Sequence, residues 1–209
     1  MAISYAITVC NELQEIKRLL NLLIDNKGIE DEVVILYDDK NGSQEVIDYL
    51  LPYNVRPGIQ TWRNFFQHDF SSAKNKLNEY CKNPWIFQLD ADEYIDPFLI
   101  QNINEILKHN EASNIDLIRV PRINTVEGIT EDHIRKWGWN VNERGWINFP
   151  DYQTRLYRNH PNIKWHGKVH EVIVGAINQS VFPNDEEYCI KHPKTIARQE
   201  KQNNYYNTL

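Results

Sequence analysis

A chain of 209 residues with 41% hydrophobic side chains is long enough for one domain with a substantial core and short for two. The formal net charge of −6 argues against a nucleic-acid binder, which would carry a basic face or a basic balance. Three widely spaced cysteines, Cys10, Cys81 and Cys189, argue against a disulfide scaffold and favour a reducing compartment, the cytoplasm.

Residues 3–10 are rich in Ile, Val and Thr and read as a buried strand. The start lacks the basic n-region of a signal peptide, and no run reaches the ~18 apolar residues of a membrane span. Residues 12–26 switch to helical spacing, with Leu13, Ile16, Leu20 and Leu23 on one face and Gly28 as the expected C-terminal cap. Residues 32–37 form a second strand, Asp38 to Ser43 a turn, and Ser43 caps a helix over 44–51. Strand, helix, strand, helix predicts an α/β fold with a mostly parallel central sheet flanked by helices.

Residues 53–70 are irregular. Ser71 is the expected cap of a helix that buries Ala73, Leu77 and Tyr80, and Asn83-Pro84 stops it. Trp85 to Leu89 is a short buried strand that ends in Asp90-Ala91-Asp92-Glu93. Asp96-Pro97 pairs a cap with proline at the first helical position, opening a helix over 97–108 on Leu99, Ile103 and Ile106. Residues 115–120 return as a strand. From Pro121 the pattern changes, and residues 122–150, with Trp137, Trp139 and Trp146, read as a long binding excursion. Residues 152–158 alternate like a strand, and the tail from Lys191 is polar and helix-prone.

Asp90 and Asp92 carry the strongest chemical signal. A buried strand cannot absorb two carboxylates in its interior. At its C-terminal end they emerge where α/β sheets bind ligands. Residues two apart share a strand face, so the pair can converge on one hard cation, Mg²⁺ or Mn²⁺, that bridges diphosphate oxygens. The bland alternative is a pair of solvated strand-end acids. Capping the next helix does not explain them, because Asp96 fills that place. An EF-hand loop from Asp90 fails, since Tyr94, Ile95 and Gln101 occupy positions that need a ligand, glycine and Glu.

Three stretches together resemble family 2 glycosyltransferases of the GT-A fold: Ile7-Thr-Val-Cys-Asn11-Glu12, Val33-Val-Ile-Leu-Tyr-Asp38-Asp39, and Trp85-Ile-Phe-Gln-Leu-Asp90-Ala91-Asp92-Glu93. Gln153-Thr-Arg155-Leu-Tyr-Arg158, followed by Val169-His170-Glu171, is similar to the later half of a bacterial-type branch. The likeness runs from about residue 3 to about residue 192. It implies an inverting transferase with a nucleotide-sugar donor, UDP preferred, and Mg²⁺ or Mn²⁺.

By that resemblance Asn11 and Glu12 face the nucleoside, and Asp38 or Asp39 accepts from base or ribose, although both also read as an ordinary acidic turn. Lys74 stands where the family often has Arg and would meet phosphate as a point charge. Ala91 lies inside the donor-binding element. His192 matches a late histidine that adds a metal ligand to Asp90 and Asp92, with His166 and His170 as further candidates. Glu171 is the expected general base for the acceptor hydroxyl and Asp151 the reserve. Arg155, Arg158, Lys168, Lys191 and Lys194 are basic groups within range of a diphosphate.

The implied division is a donor-binding half over residues 1–120 and an acceptor-binding, catalytic half over 121–209 of one domain. A longer parent protein, with this as its N-terminal domain, is compatible with the chain end. The acceptor is a glycan, lipid or protein hydroxyl, and the Trp-rich stretch is its expected seat. A sugar nucleotidyltransferase would open with a Gly-rich loop after the first strand, where Cys10-Asn11-Glu12 has no glycine. A non-catalytic carbohydrate- or nucleotide-binding module remains the other alternative. A zinc protease is disfavoured, because His166-x-x-x-His170-Glu171 has the wrong order for His-Glu-x-x-His.

Overall fold

Continuously buried strands build the middle of the sheet, and helices with one apolar face cover it. The computed structural model describes residues 1–66, 69–111, 113–168 and 171–206. In chain order the first half is β1 (Ile3–Val9), α1 (Leu13–Asn26), β2 (Glu32–Asp38), α2 (Gln44–Leu50), β3 (Ile59–Asn64), α3 (Phe70–Tyr80), β4 (Trp85–Asp90), β5 (Tyr94–Ile95) and α4 (Pro97–Glu111). The second half is β6 (Leu117–Glu127), α5 (Glu131–Trp137), β7 (Ile147–Arg158), β8 (Lys164–His166), β9 (Val172–Val174), β10 (Gln179–Val181), β11 (Ile190–Thr195) and α6 (Ile196–Tyr206).

The main sheet runs β3-β2-β1-β4-β7-β6-β11-β5, with β10 also on β6. β1 to β4 are mutually parallel, β7 is antiparallel to β4 and β6, and β11 runs parallel to β6. Odd residues of β1, Ile3, Tyr5, Ile7 and Val9, face α1, α2 and α4 in one apolar cluster. Ala6 of β1 and Val34 and Leu36 of β2 face α3 and the β8–β9 hairpin in a second. Two covered faces explain why β1, β2 and β4 read as continuous apolar runs. Among the described residues no helix is long and apolar enough to cross a membrane.

Several local expectations are corrected. α1 ends at Lys27 in extended backbone, φ −67°, and Gly28 instead donates its N–H to Asp31 Oδ2 at 2.8 Å. α3 is capped by Asp69, whose side chain accepts from Ser72 N at 2.9 Å, and not by the expected Ser71, which lies inside the helix. The irregular stretch after residue 53 contains the edge strand β3. β6 runs through Pro121 to Glu127. On one flank β6 pairs with β10 up to Arg119 and with β11 from Arg122, so the missing proline N–H falls in the gap between the two partners. The excursion over 122–150 holds α5, closed by a capping box of Thr130 and His133 and by Gly138, at φ 64°, in the left-handed region that glycine adopts freely. The tail begins with β11 before it turns helical.

Candidate functional site

The C-terminal ends of β1, β2 and β4 lie along one edge because the three strands are parallel and in register. Cys10 to Glu12, Asp38 to Ser43 and Asp90 to Glu93 therefore emerge side by side, where open α/β sheets take ligands. β11 and α6 bring His192 and Arg198 to the same edge.

The two acids around Ala91 part company. β4 stops at Asp90, so Ala91 and Asp92 sit in a turn and strand alternation no longer aligns them. Asp90 Oδ1 accepts from Thr8 Oγ1 at 3.1 Å, and Oδ2 accepts from Arg155 Nη2 at 2.7 Å. Lys74 Nζ is 3.7 Å away. Burial pushes the Asp90 carboxyl up, but Arg155 and then Lys74 outweigh it and hold it well below the usual carboxylate range. Asp92 Oδ2 lies 3.2 Å from His192 Nε2 and 3.3 Å from Arg198 Nη2. Burial raises this carboxyl too, and the hydrogen bond and charge of His192 bring it down to about 2.

Ala91 is buried in the core, and its N–H donates to Thr8 O at 3.1 Å, so neither is directed at a ligand. Glu93 is a frame residue. Its Oε2 accepts from Asp90 N at 3.1 Å, and its Oε1 takes Arg155 Nη2 at 2.8 Å and Arg122 Nη1 at 3.1 Å. Arg155 is fully enclosed, and the attraction of Asp90 and Glu93 overrides the burial that would lower its pKa.

Asp151 on β7 is held on every side. Its Oδ2 accepts from Arg122 Nε at 3.0 Å, Arg122 Nη2 at 2.8 Å and Asn124 Nδ2 at 2.8 Å, and its Oδ1 from Gln153 Nε2 at 2.6 Å. Burial alone would raise its pKa, but Arg122 and these donors lower it. A carboxylate so engaged is a poor proton acceptor, which removes the reason for keeping Asp151 as reserve base. Glu171 Oε1 is 2.5 Å from Lys74 Nζ, so Lys74 links it to Asp90. Trp165 lies under the same ammonium, its ring centroid 4.6 Å from Nζ.

Asp38 is buried and builds its own turn, accepting from Lys40 N, Asn41 N and Asn41 Nδ2 at 3.1, 3.1 and 2.9 Å. Asp39 is exposed at the same strand end. Asn11 is exposed, and Glu12 Oε2 accepts from Cys10 N and Asn11 N at 2.8 and 3.1 Å. Glu12 Oε1 reaches Arg198 Nη2 at 3.2 Å.

Of the histidines, His192 joins Asp92, His166 is exposed at the end of β8, and His170 lies outside the described residues. Among the basic candidates Arg155 meets the strand-end acids by a direct bond. Arg158 packs over Trp85, Lys191 pairs with Asp96 and Glu186, and Lys194 bonds Gln202. Lys168 is an exposed residue beside α3. Arg198 was not legible, because it sits on a polar helix with no flanking motif.

Among the described residues no three His, Cys, Asp or Glu side chains converge as a metal site. Asp92 and His192 do converge as a pair. Two protein donors fit Mg²⁺ or Mn²⁺, which keep waters and take further oxygens from substrate phosphates, and do not fit a four-ligand structural zinc.

The family model described as "Glycosyl transferase family 2" matches residues 4–173. The chain is 27% identical over 172 residues to the SPbeta prophage-derived glycosyltransferase SunS of Bacillus subtilis (strain 168), and equally to glycosyltransferase SunS of Bacillus phage SPbeta. The match takes in 81% of this chain and spans only 34% of the length of those curated relatives. The crystal structure of S. aureus TarS 1-349 is similar with a TM-score of 0.63 and 14% identity, over 92% of this chain and 60% of that one. The same protein in complex with UDP-GlcNAc gives 0.62 and 15%, over 93% and 59%. At such identities the likeness shows the fold alone, a GT-A fold.

Proposed function

The chain belongs to glycosyl transferase family 2, and from that premise we propose that it transfers a sugar, with inversion, from a nucleotide diphosphate sugar to an acceptor hydroxyl. The observation that carries this reading is the approach of Asp92 Oδ2 to His192 Nε2, 3.2 Å, at the edge that Glu12, Asp39 and Arg198 also line. Asp92 and His192 would hold Mn²⁺ or Mg²⁺, with Asp90 as part of the frame around them. When bound, the ion supplies charge stabilisation to the departing diphosphate.

The chain's own groups do the rest. Asn11, Glu12 and Asp39 present polar atoms to base and ribose, while Asp38 keeps their loop in shape. Arg198, 31% exposed, stands between Glu12 and Asp92 and is placed for the diphosphate. Glu171 takes the proton of the acceptor hydroxyl. The hydroxyl oxygen bonds the anomeric carbon, the bond from that carbon to the diphosphate oxygen breaks, and the nucleotide leaves with the electron pair. Lys74 holds Glu171 in place before the acceptor arrives.

The structures of TarS with UDP and with UDP-GlcNAc support UDP as the nucleotide. Trp137 and Trp139, with ring centroids 4.6 Å apart, and His133 stacked on Trp137 support an acceptor platform on α5. His133 Nε2 lies 3.6 Å from Glu200 of α6, the helix that carries Arg198, which ties that platform to the donor edge. The relatives are much longer, so the acceptor of the whole protein can involve further chain. Incubation with a panel of nucleotide sugars and Mn²⁺ tests the reading. Release of free nucleotide diphosphate supports it, and pyrophosphate exchange or absence of any turnover contradicts it.

A further inference from the structure

We infer that Asn124 and Asp151 are positioning residues that fix the tautomer of His192, turning its Nε2 lone pair toward Asp92. The inference rests on the reading of Asp92 and His192 as a cation pair and says how that pair is prepared. The strand register makes the relay. Arg122 pairs with Asp151 across β6 and β7, and Asn124 pairs with His192 across β6 and β11.

Asp151 is an ionised carboxylate and can only accept. The atom of Asn124 that lies 2.8 Å from it must therefore be the amide nitrogen. That turns the Asn124 carbonyl toward His192 Nδ1, 2.9 Å away. A carbonyl also only accepts, so Nδ1 must carry a hydrogen. A ring that binds a cation has given up one of its two hydrogens, and with Nδ1 held by the Asn124 carbonyl it is Nε2 that is left with a lone pair. It points at Asp92 Oδ2 across 3.2 Å, and two electron-rich atoms at that distance need a cation or a proton between them.

Asp151 is itself locked, because Arg122 holds one oxygen by two bonds and Gln153 holds the other. The relay thus starts at a fixed guanidinium and ends at a metal-ligand nitrogen. Outer partners of this kind orient the ring and typically change metal affinity by about 10–100-fold. Asp151 thereby has a role that leaves its oxygens engaged, unlike a general base.

Asp151→Asn removes the obligate acceptor that turns the Asn124 amide, because the new side chain can itself donate. Long-range ¹H–¹⁵N spectra of the metal-free protein, recorded over a pH series, read directly which ring nitrogens carry hydrogen. Wild type should show His192 with hydrogen on Nδ1, and Asp151→Asn a loss of that preference. Calorimetric Mn²⁺ affinity should fall about 10–100-fold in Asp151→Asn and in Asn124→Ala, which leaves the Arg122–Asp151 pair intact. The swap Asn124→Asp with Asp151→Asn restores donor and acceptor order and should recover both readouts. Hydrogen on Nε2 and none on Nδ1 in wild type, or an Asp151→Asn variant with unchanged tautomer and affinity, overturns the relay. Absence of any Mn²⁺ binding in wild type overturns the metal reading instead, and the ring-nitrogen spectrum then still decides the relay.

Discussion

Arg155→Met tests whether the strand-end acids are held by a buried cation. Arg155 is 4% exposed and donates through Nη2 to Asp90 at 2.7 Å and to Glu93 at 2.8 Å. Methionine fills most of the volume but leaves two carboxylates behind. Removing one partner of a buried ion pair costs about 3–5 kcal/mol. The lower end applies here. The Asp90 side chain is 34% exposed and recovers hydration, while Glu93, with no side-chain exposure, keeps Arg122 at 3.1 Å and the Asp90 amide at 3.1 Å. A loss of about 3 kcal/mol lowers Tm by about 6–12 °C in a domain of this size. Urea unfolding followed by tryptophan fluorescence and circular dichroism gives the number, with an unchanged m-value confirming a stability effect. Adding Glu93→Gln should return part of the loss, with a coupling of at least ~1 kcal/mol in the double-mutant cycle. A loss below ~1 kcal/mol for Arg155→Met would refute the reasoning, since two acids stripped of their shared cation cannot be that cheap.

Gly42→Ala should destabilise the turn after β2 by about 1–3 kcal/mol, because the new Cβ would lie 2.2 Å from Asp38 O and 2.9 Å from Cys10 O, both backbone atoms; thermal melts and donor binding both report it. Asp69→Ala should cost about 1 kcal/mol by removing the α3 cap on Ser72 N, measured by urea unfolding, and Ser71→Ala should cost less. Glu171→Gln should leave nucleotide binding near normal and lower transfer by about a hundredfold or more, read by product formation against calorimetry.

The first half of the fold was legible because its signals are local. β1 and β4 are apolar runs of strand length, α1 has a one-sided apolar face, and Asp96-Pro97 announces α4. Elements without such contrast were missed. β3 is an edge strand with only Ile59 buried, so nothing in Gln60 to Asn64 marks it. α5 is seven residues long with none buried, and its capping box uses His133 in place of the usual Glu or Gln. β6 crosses Pro121 only because two different partners flank it, which no local rule foresees.

The site divides in the same way. Asp92 and His192 were legible from their place after an apolar strand and near the chain's end, and they meet across 100 positions of sequence. The separation of Asp90 from Asp92 was not, because it depends on where pairing with Thr8 ends β4. The commitment of Asp151 to Arg122 and Asn124 is a product of cross-strand register. Arg198 reaches Glu12 and Asp92 only through the path of β11 and α6.

The most direct test is a crystal of the protein with Mn²⁺ and UDP, read by the anomalous signal of manganese. The expected result is one strong peak liganded by Asp92 Oδ2, His192 Nε2 and diphosphate oxygens, with Arg198 moved off Asp92 toward the phosphates. A diphosphate bound along another edge of the sheet, or manganese bound away from Asp92 and His192, would contradict the account.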